Sequence, residues 1–251
     1  MFSYTYSKPV RALLGQGRPF AIRRQRSKMP LASHLAVPIL PATLAQLDLL
    51  LGQTVPDLAE VSRSILTDMG ATLHVFRCAR ICGVVEGWRA SRISDCVVQL
   101  GKTRLQKQLR TVFSAVASRH DNSAKELLER ARLTAEMSRF LAKEVSCVSP
   151  ERAYLAGLVY EVGRTPVALG WHCDLSDRCD PSNMGRAMIK EWGLPAFLEP
   201  TLPSGPHGLR SASPLVKIVD AAWKIVNERC QQCGDANLTP NCGARGEMFR
   251  V

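Results

Sequence analysis

The chain has 251 residues, 46% hydrophobic and 22% charged, enough for one large domain or two small ones around a sizeable core. That composition excludes a collagen-like, wholly disordered or disulfide-scaffold protein, and the lack of any run of about 18 apolar residues argues against a membrane-spanning helix. Lysine and arginine number 33 against 22 aspartates and glutamates, a net charge of +11.

Seven cations, Lys8, Arg11, Arg18, Arg23, Arg24, Arg26 and Lys28, precede the first acidic residue, Asp48. Residues 1–37 therefore read as a basic, disordered arm. Such an arm is compatible with nucleic-acid binding, but a solvated tail is the plainer account. Nine cysteines, an odd number, with no secretory apolar segment, point to reduced thiols and a cytoplasmic location.

From Leu40 onward apolar residues recur at helical spacing. Leu44, Leu47, Leu50 and Leu51 line a first helix that stops at Gly52. Thr54-Val55-Pro56-Asp57 predicts a helix start with proline in the first turn, and Leu58, Val61, Ile65 and Leu66 give that helix its buried stripe. Gly70 interrupts, and a third helix is predicted over 71–82. A loop with Gly83, Gly87 and Trp88 follows. Ser94 predicts an N-cap for a short helix carrying Val97, Val98 and Leu100, ended by Gly101.

The next helix, over 103–118, places Leu105, Leu109, Val112, Phe113 and Val116 on one face. A long helix over 122–145 carries Leu127, Leu128, Ala131, Ala135, Phe140 and Leu141. Ser149-Pro150-Glu151 caps another, with Leu155, Leu158, Val159 and Val162. Asp180-Pro181 and Ser213-Pro214 repeat the cap-then-proline pattern. The last helix presents Leu215, Ile218, Val219, Ala222, Ile225 and Val226. Helices with short connections predict an all-α fold, and residues 229–251 read as a polar, cysteine-containing tail.

Several segments together resemble the HDOD domain, the HD-related output domain of bacterial signalling proteins. Leu40-Pro41 matches its opening helix, and Asp68-Met69-Gly70-Ala71-Thr72 stands at its Asp-Pro-x-Leu-Thr turn without the proline. Ile93-Ser94, Leu100-Gly101 and the segment between them resemble its Ile-Ser-x-x-x-Ala-Ile-x-x-Leu-Gly run. Tyr154-Leu155-Ala156-Gly157-Leu158 resembles the lead-in to the HD dipeptide, and Trp192-Gly193-Leu194-Pro195 a later turn. The resemblance covers about 38–228 and implies a two-lobed, HDOD/HD-domain-like helical bundle, with lobes at about 38–120 and 121–228.

The resemblance also locates the chemistry to look for. HD hydrolases hold metal with a histidine, a His-Asp pair and a later aspartate, because imidazole and carboxylate bind a divalent cation that acidifies water for attack on phosphate. Here the pair is Tyr160-Glu161, the first histidine falls at Arg130, and the late aspartate falls near Trp223, with Asp220 three residues away. A guanidinium, a phenol and an indole do not grip a cation. The reading is therefore non-catalytic, with no metal or cofactor. Two roles stay open for Arg130, Tyr160, Glu161, Arg164 and Trp223: filling a former cavity, with Glu161 paired to Arg130 or Arg164, or binding an anionic nucleotide through the two arginines.

Cys230-Gln231-Gln232-Cys233 with Cys242 and a distant His207 suggests zinc, but a second cysteine pair is missing, and free thiols in a polar tail are the simpler reading. Cys78 and Cys82, a helical turn apart, read as core. The histidines, His34, His74, His120, His172 and His207, have no serine or cysteine partner at a catalytic spacing, and no P-loop or Gly-x-Gly-x-x-Gly element appears. Lys102, Arg104, Lys107 and Arg110 cluster in and just before one helix. They form either a phosphate-contacting patch or a solvated face.

The sequence thus points to regulation or signal transduction through contacts with unknown signalling proteins in trans, without a membrane. The alternatives are an HD-type metal-dependent phosphohydrolase with rearranged ligands and a basic nucleic-acid-binding regulator.

Overall fold

The computed structural model describes residues 37–83, 92–116, 122–145, 147–169, 180–203 and 213–235. The basic leader, Gly87 and Trp88, His207 and Cys242 lie outside them. Every regular element among the described residues is helical. They are α1 (Pro41–Gly52), α2 (Leu58–Leu66), α3 (Met69–Ile81), α4 (Ile93–Val116), α5 (Asn122–Glu144), α6 (Pro150–Val159), α7 (Thr165–Ala168), α8 (Pro181–Trp192) and α9 (Pro214–Asp235), with 3-10 turns at Val162–Arg164 and Ala196–Thr201.

The helix starts follow capping chemistry. Asp57 accepts hydrogen bonds from the Ala59 and Glu60 amides, so the aspartate is the cap of α2 and Pro56 lies ahead of the helix, not in its first turn. Ser149 accepts from the Arg152 amide with Pro150 at the first helical position, and Asp180 does the same for Ser182 ahead of Pro181. Both satisfy amide donors that the helix itself leaves open. Ser94 is not a cap: it lies inside α4, one residue after Ile93.

Gly101 has φ 69 and ψ 164, a conformation disfavoured for residues with a Cβ. It breaks α4 where the two predicted helices meet. α3 starts at Met69, two residues earlier than predicted, because Asp68 caps it through the Ala71 amide. Gly70 is therefore helical, and it does not interrupt. A Cβ there would stand 2.0 Å from the carbonyl oxygen of Pro38.

One buried cluster joins two groups of helices, α1–α4 and α5–α9. It draws Leu47, Leu51, Ile65, Leu73 and Phe76 from the first, and Leu158, Met188, Trp192 and Leu194 from the second. Three expectations fail at their edges. Phe140 is 43% exposed and Val98 is 60% exposed, so neither joins its helix's buried stripe. Val162 is buried in the 3-10 turn after α6, not in the helix. The last helix also continues past Glu228 to Asp235, carrying Cys230 and Cys233 in helix where a tail was expected.

The segment ahead of α1 is clamped by α3. The Asp68 carboxylate accepts from the Leu40 amide at 2.7 Å, and the His74 Nε2–H donates to the Val37 carbonyl at 2.9 Å. Burial lowers the His74 pKa to about 4 and raises that of Asp68.

Gly70→Ala is expected to destabilise the protein by about 2 to 3 kcal/mol in denaturant melts, because α3 must move off Pro38. Between pH 6.5 and 4 the unfolded chain protonates His74 and the folded one does not. Stability therefore falls as pH drops through that window. Asp68 contributes with the opposite sign, since its raised pKa makes the folded state the better proton binder. The His74 share is read as the difference between the wild type and His74→Gln: the wild type should lose up to about 3 kcal/mol more across the window.

Candidate functional site

The site forms where α5, α6 and α9 meet. α5 lies against α6 because Gly157 leaves room: a Cβ there would be 2.6 Å from the Ser138 hydroxyl and 2.9 Å from the Ala135 Cα. This close approach sets Arg130 of α5 opposite the end of α6, where Tyr160 and Glu161 follow. α9 packs on α5 and brings Asp220 and Trp223 to the same place.

Glu161 is only 3% exposed. A carboxylate so buried must be paired or neutralised. Arg130 donates from Nε to Oε2 at 2.6 Å and from a terminal nitrogen to Oε1 at 3.3 Å. Arg164 donates to Oε1 at 2.9 Å. Both oxygens of Glu161 are thus held by guanidinium, in charge-assisted bonds of the stronger kind. The two arginines are not equivalent. The Arg130 side chain is 24% exposed and that of Arg164 49% exposed, so solvent screens the second pair more.

The Tyr160 hydroxyl donates to Asp220 Oδ1 at 3.2 Å, and the other oxygen of Asp220 meets Lys224 Nζ at 2.8 Å. Burial, followed by the negative charge of Asp220, pushes the phenol above its ordinary range. Tyr160 is therefore a neutral hydrogen-bond donor at physiological pH. Trp223 lies 5.9 Å from the Tyr160 ring and carries the Arg164 guanidinium over its face at 5.7 Å, a cation–π arrangement. Beside this cluster a cleft of about 230 Å³ is lined by Tyr160, Glu161, Arg164, Asp180, Ser182 and Leu202, among others.

All five residues singled out in the sequence, Arg130, Tyr160, Glu161, Arg164 and Trp223, come together. Glu161 takes both arginines where one was expected. Asp220, set aside for its offset from Trp223, belongs to the cluster. Three residues is nearly one helical turn, so the two side chains leave α9 in similar directions. That spacing was the available signal.

A divalent cation does not fit these residues. It would face two guanidiniums, and the carboxylates are committed: Glu161 to Arg130 and Arg164, Asp220 to Tyr160 and Lys224. Among the described residues no three His, Cys, Asp or Glu side chains cluster as a metal site would need. An anion entering the cleft would meet Arg164, but also the Glu161 and Asp180 carboxylates. Of the cysteines, Cys78 is buried on α3 and Cys82, just after that helix, is half-buried, and burial pushes the Cys78 thiol up to about 11, which keeps it protonated. Cys230 is half-buried on α9.

A family model for the HDOD domain matches residues 37–177. The crystal structure of the MmoQ response regulator (fragment 20–298) from Methylococcus capsulatus strain Bath shares the fold at 17% identity, with a TM-score of 0.62 over 82% of this chain and 87% of that one. A second crystal structure of MmoQ gives 16% identity and a TM-score of 0.59, over 78% and 88%. An HDOD domain protein from Geobacter sulfurreducens aligns at 20% identity over 77% and 74%, with a TM-score of 0.37. No curated protein matches the chain in sequence. At these identities the likeness is one of fold.

Tyr160→Phe should lower stability by about 1 kcal/mol, as expected for one hydrogen bond to a partly exposed carboxylate. Asp220→Asn in the Tyr160→Phe background should add less than it does alone. Chemical denaturation of the four proteins checks both expectations.

Proposed function

We propose that this chain, which belongs to the HDOD domain family, is a non-catalytic regulatory output module that acts through contacts with other proteins. The observation that carries this reading is the double pairing of Glu161. In HD-superfamily hydrolases the resemblance places a His-Asp metal-binding dipeptide at this point. Here a phenol and a carboxylate stand there, and the carboxylate is neutralised from within the fold. A carboxylate that accepts three hydrogen bonds from two guanidiniums is engaged on both oxygens within the fold, which leaves it poorly placed to take a proton from water, and the neutral Tyr160 gives up no proton near pH 7.

What the cluster supplies is rigidity. It ties α5, α6, the turn after α6 and α9 together through ionic and aromatic contacts. A rigid helical body of this sort suits a surface-presenting role. The name of MmoQ as a response regulator supports a signalling setting for the shared fold. No helix among the described residues is long and apolar enough to cross a membrane. A cytoplasmic place with reduced thiols goes with this reading.

The test is direct. Purified full chain, supplied in turn with manganese, magnesium and zinc, should hydrolyse neither a chromogenic phosphomonoester nor a phosphodiester above the buffer rate. Metal-dependent turnover that Glu161→Gln abolishes would overturn the proposal.

A further inference from the structure

Among the described residues, five cations elsewhere in the fold meet carboxylates. Arg130 and Arg164 share Glu161, Lys190 meets Glu199, Lys224 meets Asp220, and Arg139 meets Glu136. The part of α4 after Gly101 differs. From Cys96 to His120 the sequence holds Lys102, Arg104, Lys107, Arg110 and Arg119 and no aspartate or glutamate. Leu105 and Leu109 are buried on the inner side, while Arg104 and Lys107 are exposed. Neither pairs with a carboxylate among the described residues. Lys102 Nζ donates to the Gln53 carbonyl at the end of α1, which anchors the basic face to the loop between α1 and α2.

Two exposed apolar side chains stand close to that anchor along the chain. Val55, two residues beyond Gln53, is 83% exposed, and Val98, four residues before Lys102 and ahead of the break at Gly101, is 60% exposed. Positive charge without local carboxylates thus lies near two exposed valines. It is complementary to a partner that brings carboxylates and aliphatic side chains together. Nucleic acid matches it less well: phosphates gain nothing from the valines, and no described residue of this surface offers a ring on which a base could stack.

We propose that the basic face of α4, with Val55 and Val98 at its edge, docks an acidic amphipathic helix of a partner protein. Carboxylates of that helix meet Arg104 and Lys107, and its aliphatic stripe covers the two valines. This rests on the reading of the chain as a protein-contact module and names the surface it uses.

The probe is a labelled synthetic helical peptide built from glutamate and leucine at amphipathic spacing, titrated with the full chain and followed by fluorescence anisotropy. Binding is expected to weaken as salt rises. Arg104→Glu/Lys107→Glu should weaken it about tenfold or more, and Val55→Ser/Val98→Ser about threefold with the salt dependence kept. Lys125→Glu/Lys143→Glu on α5 controls for bulk charge, including that of residues 1–36, and should stay within about twofold. All the changed side chains are exposed, and unchanged melting curves confirm folded variants.

Absence of peptide binding, equal losses from the two charge reversals, or no loss from Arg104→Glu/Lys107→Glu would overturn the assignment. So would a DNA duplex that binds more tightly than the peptide and loses its affinity to the same reversal. These failures leave the phosphohydrolysis result untouched, so the docking face and the non-catalytic reading fail separately.

Discussion

A carboxylate buried to 3% exposure has to be neutralised, and the arrangement of α5, α6 and α9 follows from how that is done for Glu161. Removing a carboxylate from water costs several kcal/mol even after relaxation. Two guanidiniums from different elements offset that cost, Arg130 from α5 and Arg164 from the turn after α6. Because the two donors come from separate segments, the ion cluster also fixes how those segments sit. Trp223 extends the restraint to α9, its ring tilted against that of Tyr160 and under the Arg164 guanidinium.

The cluster works only because backbone packing brings its members within reach. Gly157 lets α5 approach α6 closely enough for Arg130 to reach past the helix end. Among α1–α4 Gly70 plays a comparable part, letting α3 approach Pro38 while Asp68 and His74 hold the same stretch of chain by hydrogen bonds. Both groups of helices thus combine a close backbone contact with buried groups that find partners, Asp68 and His74 among α1–α4 and Glu161 among α5–α9. The first uses neutral or hydrogen-bonded groups, and the second uses full charges.

Much of this was legible in the sequence because it depends on local rules. Cap-then-proline at Ser149-Pro150, Asp180-Pro181 and Ser213-Pro214 placed three helix starts, and Gly101 placed the break in α4. The residues at the HD positions could be read as a group, and they do converge. What failed depended on three-dimensional context. Gly70 reads as an interruption in sequence, but its meaning lies in the distant Pro38 carbonyl. Phe140 and Val98 fit apolar stripes by spacing, yet no neighbouring helix covers them. Asp220 was passed over because a position was counted along the chain, whereas the partner, Tyr160, is reached across helices. The end of α9 was misplaced because a polar composition was read as a tail, although a helix on the surface needs no apolar residues in its last turns.

The account depends most on the coupling between Arg130 and Glu161. A double-mutant cycle with Arg130→Met, Glu161→Gln and the combined variant, followed by denaturant unfolding, measures it directly. Glu161→Gln strands Arg130, and Arg130→Met leaves Glu161 with the screened Arg164 alone, so the account predicts a coupling energy of about 2 kcal/mol or more. Additive losses, with a coupling near zero, would contradict it: Glu161 would then be a carboxylate not committed to its neighbours, and one free for other chemistry.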